Sequence, residues 1–370
     1  MKLQVVKRDN FPIWKRCLLY LGAVAAALAI GAIVLLAIGV NPIKYYYQMF
    51  TMDTIGNANA YTTFINYIKK FLPLALTSVA LSLAFKMKFW NIGGEGQFII
   101  GAISAAFVAF KVGPVMPDWL DWLTLLLMCL AAMAAAGLYG TAVGALKVKF
   151  GTNETLLTLM LNYVAIYLLD FFSKKGVGTW NLFLQKDNPR ATWESFSDIV
   201  AFPSIPMGKF ELNVCFIFTL MIGAVIYIYL KRSKQGYEIS VVGDSVNTAH
   251  YAGMKVNRII LRTVFLSAAL IGLAAAFKVG SEGTLSTAIT DDVGWTGIIV
   301  AWLAQLNTIS IFIVSGLICV LQQGSIIAAS EFSQVDSSFS DMLQGVILFL
   351  VLASDFFIRF RIVIKKKGDK

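Results

Sequence analysis

CLLYLGAVAAALAIGAIVLLAIGV, residues 17–40, holds no charged side chain. At about 1.5 Å per residue such a run makes a helix of roughly 36 Å, enough to cross a hydrocarbon core of about 30 Å and longer than the apolar core of a signal peptide. Residues 1–16 ahead of it carry five Lys or Arg and one Asp. The run therefore reads as an uncleaved first span whose tail, residues 1–16, stays in the cytoplasm.

Working outward, hydropathy places nine more spans at residues 71–85, 98–112, 119–146, 155–172, 212–230, 259–280, 293–306, 309–329 and 342–358. Whole-chain composition agrees: 58% of the 370 residues are hydrophobic, only 14% are charged, and mean hydropathy is +0.73, far from a soluble protein. The expectation is an all-α integral membrane protein with about ten transmembrane helices in residues 17–358 and both ends cytoplasmic. On this topology the inside segments hold 21 Lys or Arg and the outside segments 8, with Lys111 and Lys278 at outer helix ends. That bias follows the positive-inside rule, so the net charge of +10 belongs to topology and anionic lipid rather than to nucleic acid. Cys17, Cys129, Cys215 and Cys319 each lie alone in an apolar run and His250 is the single histidine, which predicts neither a disulfide framework nor a metal site.

Two spans are short. Residues 71–85 would cover only ~22 Å, and residues 293–306 contain Gly294 and Gly297. Short, glycine-interrupted spans in corresponding halves point to a transport site built from broken or re-entrant helices. For the first there is an equal alternative, in which Lys69 and Lys70 snorkel and the helix starts near Tyr61. Gly93-Gly94-Glu95-Gly96 and Gly280-Ser281-Glu282-Gly283 hint at an inverted repeat. Gly137, Gly140 and Gly144 form a small-residue stripe that lets helices approach closely.

Three polar stretches punctuate the spans. Residues 173–211 form a long external loop with Trp180, Trp193, Pro189, Pro203 and Pro206, either an interfacial belt or a docking surface. Residues 359–370 form a basic cytoplasmic tail. Residues 231–258 form a cytoplasmic loop, KRSKQGYEISVVGDSVNTAHYAGMKVNR, with Gly236, Gly243 and Gly253 at its bends and a helical middle at residues 246–252. Such a loop has little to do in lipid, and suits the grip of a soluble partner.

The chain has no motor of its own. A phosphate-gripping loop needs Gly-Lys-Ser/Thr, and the one Gly-Lys here, Gly208-Lys209, precedes Phe210. With one histidine, neither a Ser-His dyad at membrane depth nor a zinc-protease motif can be assembled. What remains is polar residues near membrane depth. Asn91, Glu95 and Gln97 lie among three glycines, either beside a water-filled path or in a cytoplasmic turn where Glu95 answers Lys86 or Lys88. Glu154 opens a helix, where a carboxylate is stabilised in any case, and Asn162 lies deeper on the same face. Gln305 closes the short span, on the path or structural.

NIGGEGQFIIGA at residues 91–102, GTNETLLTLMLNYVA at residues 151–165, SVVGDSVNTAHYAGMKVNR at residues 240–258 and WTGIIVAWL at residues 295–303 resemble the permease subunits of bacterial ABC importers in the branched-chain amino acid, ribose and nucleoside group. The first string is most similar to the longer permease of the nucleoside and simple-sugar branch. The resemblance covers about residues 72–353. It departs from the general Glu-Ala-Ala-x3-Gly coupling pattern: Asn247-Thr248-Ala249 precedes Gly253, so no acid-mediated contact carries over to Asn247.

That resemblance implies a non-enzymatic transport subunit in the bacterial plasma membrane. It implies an ATPase partner with two fused nucleotide-binding domains, which would hold the ATP and magnesium, since this chain itself carries no cofactor. A second related permease and an external substrate-binding lipoprotein would complete the assembly. We expect nucleosides as substrate, with a simple sugar such as ribose or galactose as the alternative and an ion-coupled secondary transporter as a further one. Asn91, Glu95, Gln97, Asn162 and Trp295 are expected to line or gate the path, with Glu154 and Gln305 on the path or structural. Tyr237, Glu238, Gly243, Ala249, His250 and Gly253 are expected to form the ATPase-coupling surface.

Overall fold

The computed structural model describes residues 2–7, 12–52, 54, 60–172, 183–185, 193–196, 200–207, 210–336 and 338–365. Trp180 and Pro189 of the external loop and the last residues of the basic tail lie outside them. Among the described residues nine helices are long and apolar enough to cross a membrane. They are α1 (Ile13–Ala37), α3 (Ala60–Lys86), α4 (Gly94–Val112), α5 (Asp121–Phe150), α6 (Glu154–Phe172), α7 (Cys215–Arg232), α10 (Val256–Glu282), α12 (Thr308–Glu331) and α13 (Phe339–Arg359). Four shorter helices join them: α2 (Pro42–Thr51), α8 (Lys234–Asp244), α9 (Val246–Tyr251) and α11 (Val293–Leu303). The chain is thus an all-α, multi-pass membrane protein.

The chain divides into two units. The first comprises Met1–Thr63 and Leu317–Lys370. In it α1 packs on α13, and Tyr20 donates to Asp355 Oδ1 at 3.0 Å. Tyr45 of α2 shares a 2.9 Å hydrogen bond with Ser325 and sits edge-on to Phe339. Strand β1 (Lys2–Lys7) pairs antiparallel with β4 (Phe360–Lys365), Lys2 opposite Lys365 and Lys7 opposite Phe360. This pairing brings the two ends of the chain side by side. The expected span at residues 293–306 is the 11-residue helix α11, shorter than the nine long ones, with a non-helical lead over residues 283–292.

The second unit is Phe64–Gly316. Its centre is α3, in which every residue from 71 to 84 is buried on all sides, as expected of a helix apolar around its whole circumference. This helix is not a short span. It begins at Ala60, because Lys69 and Lys70 interrupt the hydropathy but not the helix, and both remain partly exposed. The glycine stripe of α5 seats α10: a Cβ at Gly137 would meet the Phe265 ring at 2.7 Å and one at Gly140 would meet Ala268 at 2.6 Å. The external loop contributes the hairpin β2 (Ser204–Met207) and β3 (Phe210–Asn213), and its buried Phe196 stacks edge-on against Phe110.

The GGEG and GSEG strings sit at opposite helix ends. The first opens α4 and the second closes α10. The spatial counterpart of Gly94 is Gly294, whose Cα lies 3.5 Å from where a Gly94 Cβ would be.

Candidate functional site

Residues 87–93 connect α3 to α4, and together with the first turn of α4 they hold the buried polar side chains Asn91, Glu95 and Gln97. Asn91 and Gln97 bond reciprocally, Nδ2 to Oε1 at 3.1 Å and Nε2 to Oδ1 at 3.0 Å, and Asn91 Oδ1 also accepts from Gly93 N–H. Asn162 on α6 accepts from Gly96 N–H at 2.8 Å and donates to Ile92 C=O at 2.9 Å. Thr158, one turn earlier, accepts from Ile92 N–H. All four side chains are buried. They satisfy backbone groups that a helix interruption in lipid would leave bare, and so hold the bend against α6.

Glu95 faces the other way. It is 3% exposed, and its carboxylate accepts from Gly294 N–H at 2.9 Å, with Thr290 hydroxyl and Trp295 N–H also bonded to it. Glu95 stands in the first turn of α4 while capping the start of α11, so two helix N-termini converge on one carboxylate. The positive ends of both dipoles stabilise it there. This replaces the alternative of a cytoplasmic turn answering Lys86 or Lys88: Glu95 takes helix N–H groups instead.

Around α11 the structure adds residues that sequence reasoning missed. Trp302 stacks on Trp90 with centroids 5.3 Å apart and planes at 15°, and Phe85 lies 5.8 Å from Trp302. Lys278, read as an outer helix end, is only 4% exposed and pairs with Glu282 at 2.7 Å and Asp291 at 2.8 Å. Its apolar neighbours made it a candidate, since a cation four residues before an acid inside a long apolar run is costly unless paired. Trp295 is half-buried, whereas Gln305 is exposed at a tight turn with φ +50°. Glu154 pairs with Lys147, away from the α4–α11 junction.

The polar stretch at residues 231–258 is mostly helix. The helix expected at residues 246–252 is α9 (Val246–Tyr251), with Ala252 as its C-cap, and α8 precedes it. Gly236 and Gly243 do not bend the chain but lie within α8, where backbones meet: a Cβ on Gly243 would fall 2.0 Å from Lys86 C=O, and one on Gly236 2.4 Å from Tyr229 C=O. Gly253 alone is a bend, at φ +72° after α9. Glu238 pairs with Arg262 at 3.0 Å. Ala249 is fully buried in a cluster with Ala84, Met87, Phe89, Ile239 and Val242. Tyr237, His250 and Tyr251 face outward, Tyr251 at 94% exposure. The loop thus has an anchored side, continuous with residues 87–89, and an exposed aromatic side.

Residues 63–352 match the family described as branched-chain amino acid transport system / permease component. The chain is 29% identical over 351 residues to the guanosine ABC transporter permease protein NupP of Bacillus subtilis, with 94% of this chain and 96% of that protein covered. It is 27% identical over 317 residues to the nucleoside ABC transporter permease protein NupB of Lactococcus lactis, covering 84% of each. Identity is 26% over 376 residues to the glucose ABC transporter permease protein TsgB13 of Haloferax volcanii, covering 98% of this chain and 94% of that one. No solved structure matches.

Proposed function

The chain belongs to the branched-chain amino acid transport system permease-component family, and on that premise we propose that it is the transmembrane subunit of an ATP-driven nucleoside importer. The observation that carries the reading is the α8–α9 loop. A helix that exposes Tyr251 and His250 while burying Ala249 against the α3–α4 connection has the form of a lever worked from outside. A separate ATPase, with paired nucleotide-binding domains holding ATP and magnesium, grips this face. A second permease subunit and an external binding lipoprotein complete the assembly in the bacterial plasma membrane, and both ends of this chain lie in the cytoplasm. The permease supplies two states of different exposure, and ATP biases them. Asn91, Glu95, Gln97, Asn162 and Trp295 shape or gate the path.

Two relatives named for guanosine and nucleoside transport support the nucleoside substrate, and one named for glucose keeps a sugar as the second reading. The test is reconstitution of the chain with its ATPase, second permease and binding protein in liposomes, measuring labelled guanosine, adenosine and hexose uptake. ATP-dependent nucleoside uptake is the expected result. Uptake of hexose alone moves the substrate, and failure of the ATPase to bind this chain overturns the importer reading.

A further inference from the structure

Residues 86–95 touch the coupling helices at one end and both ends of α11 at the other. The Lys86 carbonyl lies against Gly243 of α8 with no space for a side chain, and Met87 and Phe89 share a buried cluster with Ile239, Val242 and Ala249. Trp90, the next residue, stacks on Trp302 in the last turn of α11. Glu95 bonds the N–H of Gly294 in its first turn. One short connection therefore grips an 11-residue helix at head and foot. We propose that α11 is the moving gate of the transporter and that residues 86–95 carry the motion of α8 and α9 to it as one rigid piece, with Trp90, Trp302 and Glu95 as positioning residues. This rests on the importer reading. It assigns the gate to a particular helix, and Trp90 and Trp302 to its drive.

Packed elements pass on displacement when they are close-packed and lack slack. The contacts here meet that condition: backbone against backbone at Gly243, ring face on ring face at Trp90, and a charge-assisted hydrogen bond at Glu95. On either side of α11 the chain leaves the helical path, so no continuous helix ties it to α10 or α12. Its lead, residues 283–292, is non-helical, and the turn after it places Gln305 and Leu306 at φ +50° and +57°.

The test uses the reconstituted importer and measures uptake and ATP hydrolysis in the same vesicles. Trp90→Ala and Trp302→Ala are expected to lower uptake per ATP by about fivefold or more, the scale of a lost coupling interaction, while Trp90→Phe and Trp302→Phe retain it. A Trp90→Cys/Trp302→Cys pair supplies the sharper arm. Before cross-linking it is uncoupled; joining the two thiols with a short reversible linker restores uptake, because the pieces move together, and reduction abolishes it again. Arrest of uptake by the cross-link, or normal coupling in both alanine variants, overturns the proposal. A wild-type complex that neither binds its ATPase nor transports overturns the importer reading instead.

Discussion

Gly294→Ala should separate the two helix N-termini that meet at Glu95. An added Cβ would lie 2.2 Å from Glu95 N, 2.5 Å from its Cα and 2.6 Å from Oε2. Ordinary contact needs about 3.4 Å, so α11 must retreat by roughly 1.2 Å. The Gly294 N–H···Oε2 bond, now 2.9 Å, then opens to about 4 Å, past any useful hydrogen bond. Overpacking of a dense interior costs about 1–3 kcal/mol, and loss of a hydrogen bond to a charged group about 1.5–3 kcal/mol, so the total is roughly 2.5–6 kcal/mol. Gly297→Ala, one turn on in the same helix, is the internal control. Its Cβ would meet the Leu81 Cδ1 and Thr77 Cγ2 tips at 3.3 Å, which can turn aside at about 1 kcal/mol or less. The assay is thermal unfolding of the purified protein in detergent, paired with uptake by the reconstituted complex. Gly294→Ala should unfold several degrees lower and transport poorly, with Gly297→Ala near wild type. Equal behaviour of the two variants would refute the junction as described.

Asn162→Leu removes partners from the buried Gly96 N–H and the partly buried Ile92 C=O and should destabilise the purified chain by about 2–4 kcal/mol; Asn162→Gln should recover little, since its longer arm overshoots both. Lys278→Met leaves Glu282 and Asp291 facing each other without their cation and should lower thermal stability by about 2 kcal/mol, because both acids are partly solvated; the further change Asp291→Asn should recover part of that loss. Gly253→Val forces a β-branched residue to φ +72° and should cost about 1–2 kcal/mol, seen as weaker ATPase copurification with the membrane domain otherwise intact. Cysteines placed at Lys2 and at Lys365 should react with an impermeant reagent from the same side of sealed vesicles, as the β1–β4 pairing requires; reaction from opposite sides would break that pairing.

The spans were legible because apolar runs of helical length leave little choice in lipid. The length of α3 was legible only as two readings, because Lys69 and Lys70 lower local hydropathy while their stems still fit the helix, and the reading that starts it near Tyr61 is the one the structure shows. Asn91 to Gln97 stood out as costly polar groups in a bend, and the structure brings Asn91, Gln97 and Asn162 together as hydrogen-bonded neighbours of that bend. The partner of Glu95 was illegible: Gly294 lies 199 positions away, and no periodicity joins them. Trp90 and Trp302 were hidden by the habit of tryptophan at membrane interfaces, which gives each ring a sufficient reason without the other. Within residues 231–258, α9 followed from its pattern, but α8 did not, because Gly236 and Gly243 carry the same letters whether they bend a chain or let two backbones touch.

The burial of α3 has a consequence for biosynthesis. It is the least hydropathic of the nine long helices, with mean hydropathy 1.5, and 89% of its apolar window is enclosed by protein. One of its wrappings, Ser267 on Ala80 C=O, comes from a residue made 187 positions later. At about 5–20 residues per second a ribosome needs roughly 10–40 s to cover that distance. Throughout that interval Thr77, Ser78 and Ser82 belong to a helix that still lacks its contact with α10. Until α10 is made, the helix that becomes the centre of the finished protein keeps the polar groups it will turn toward α10 without that cover.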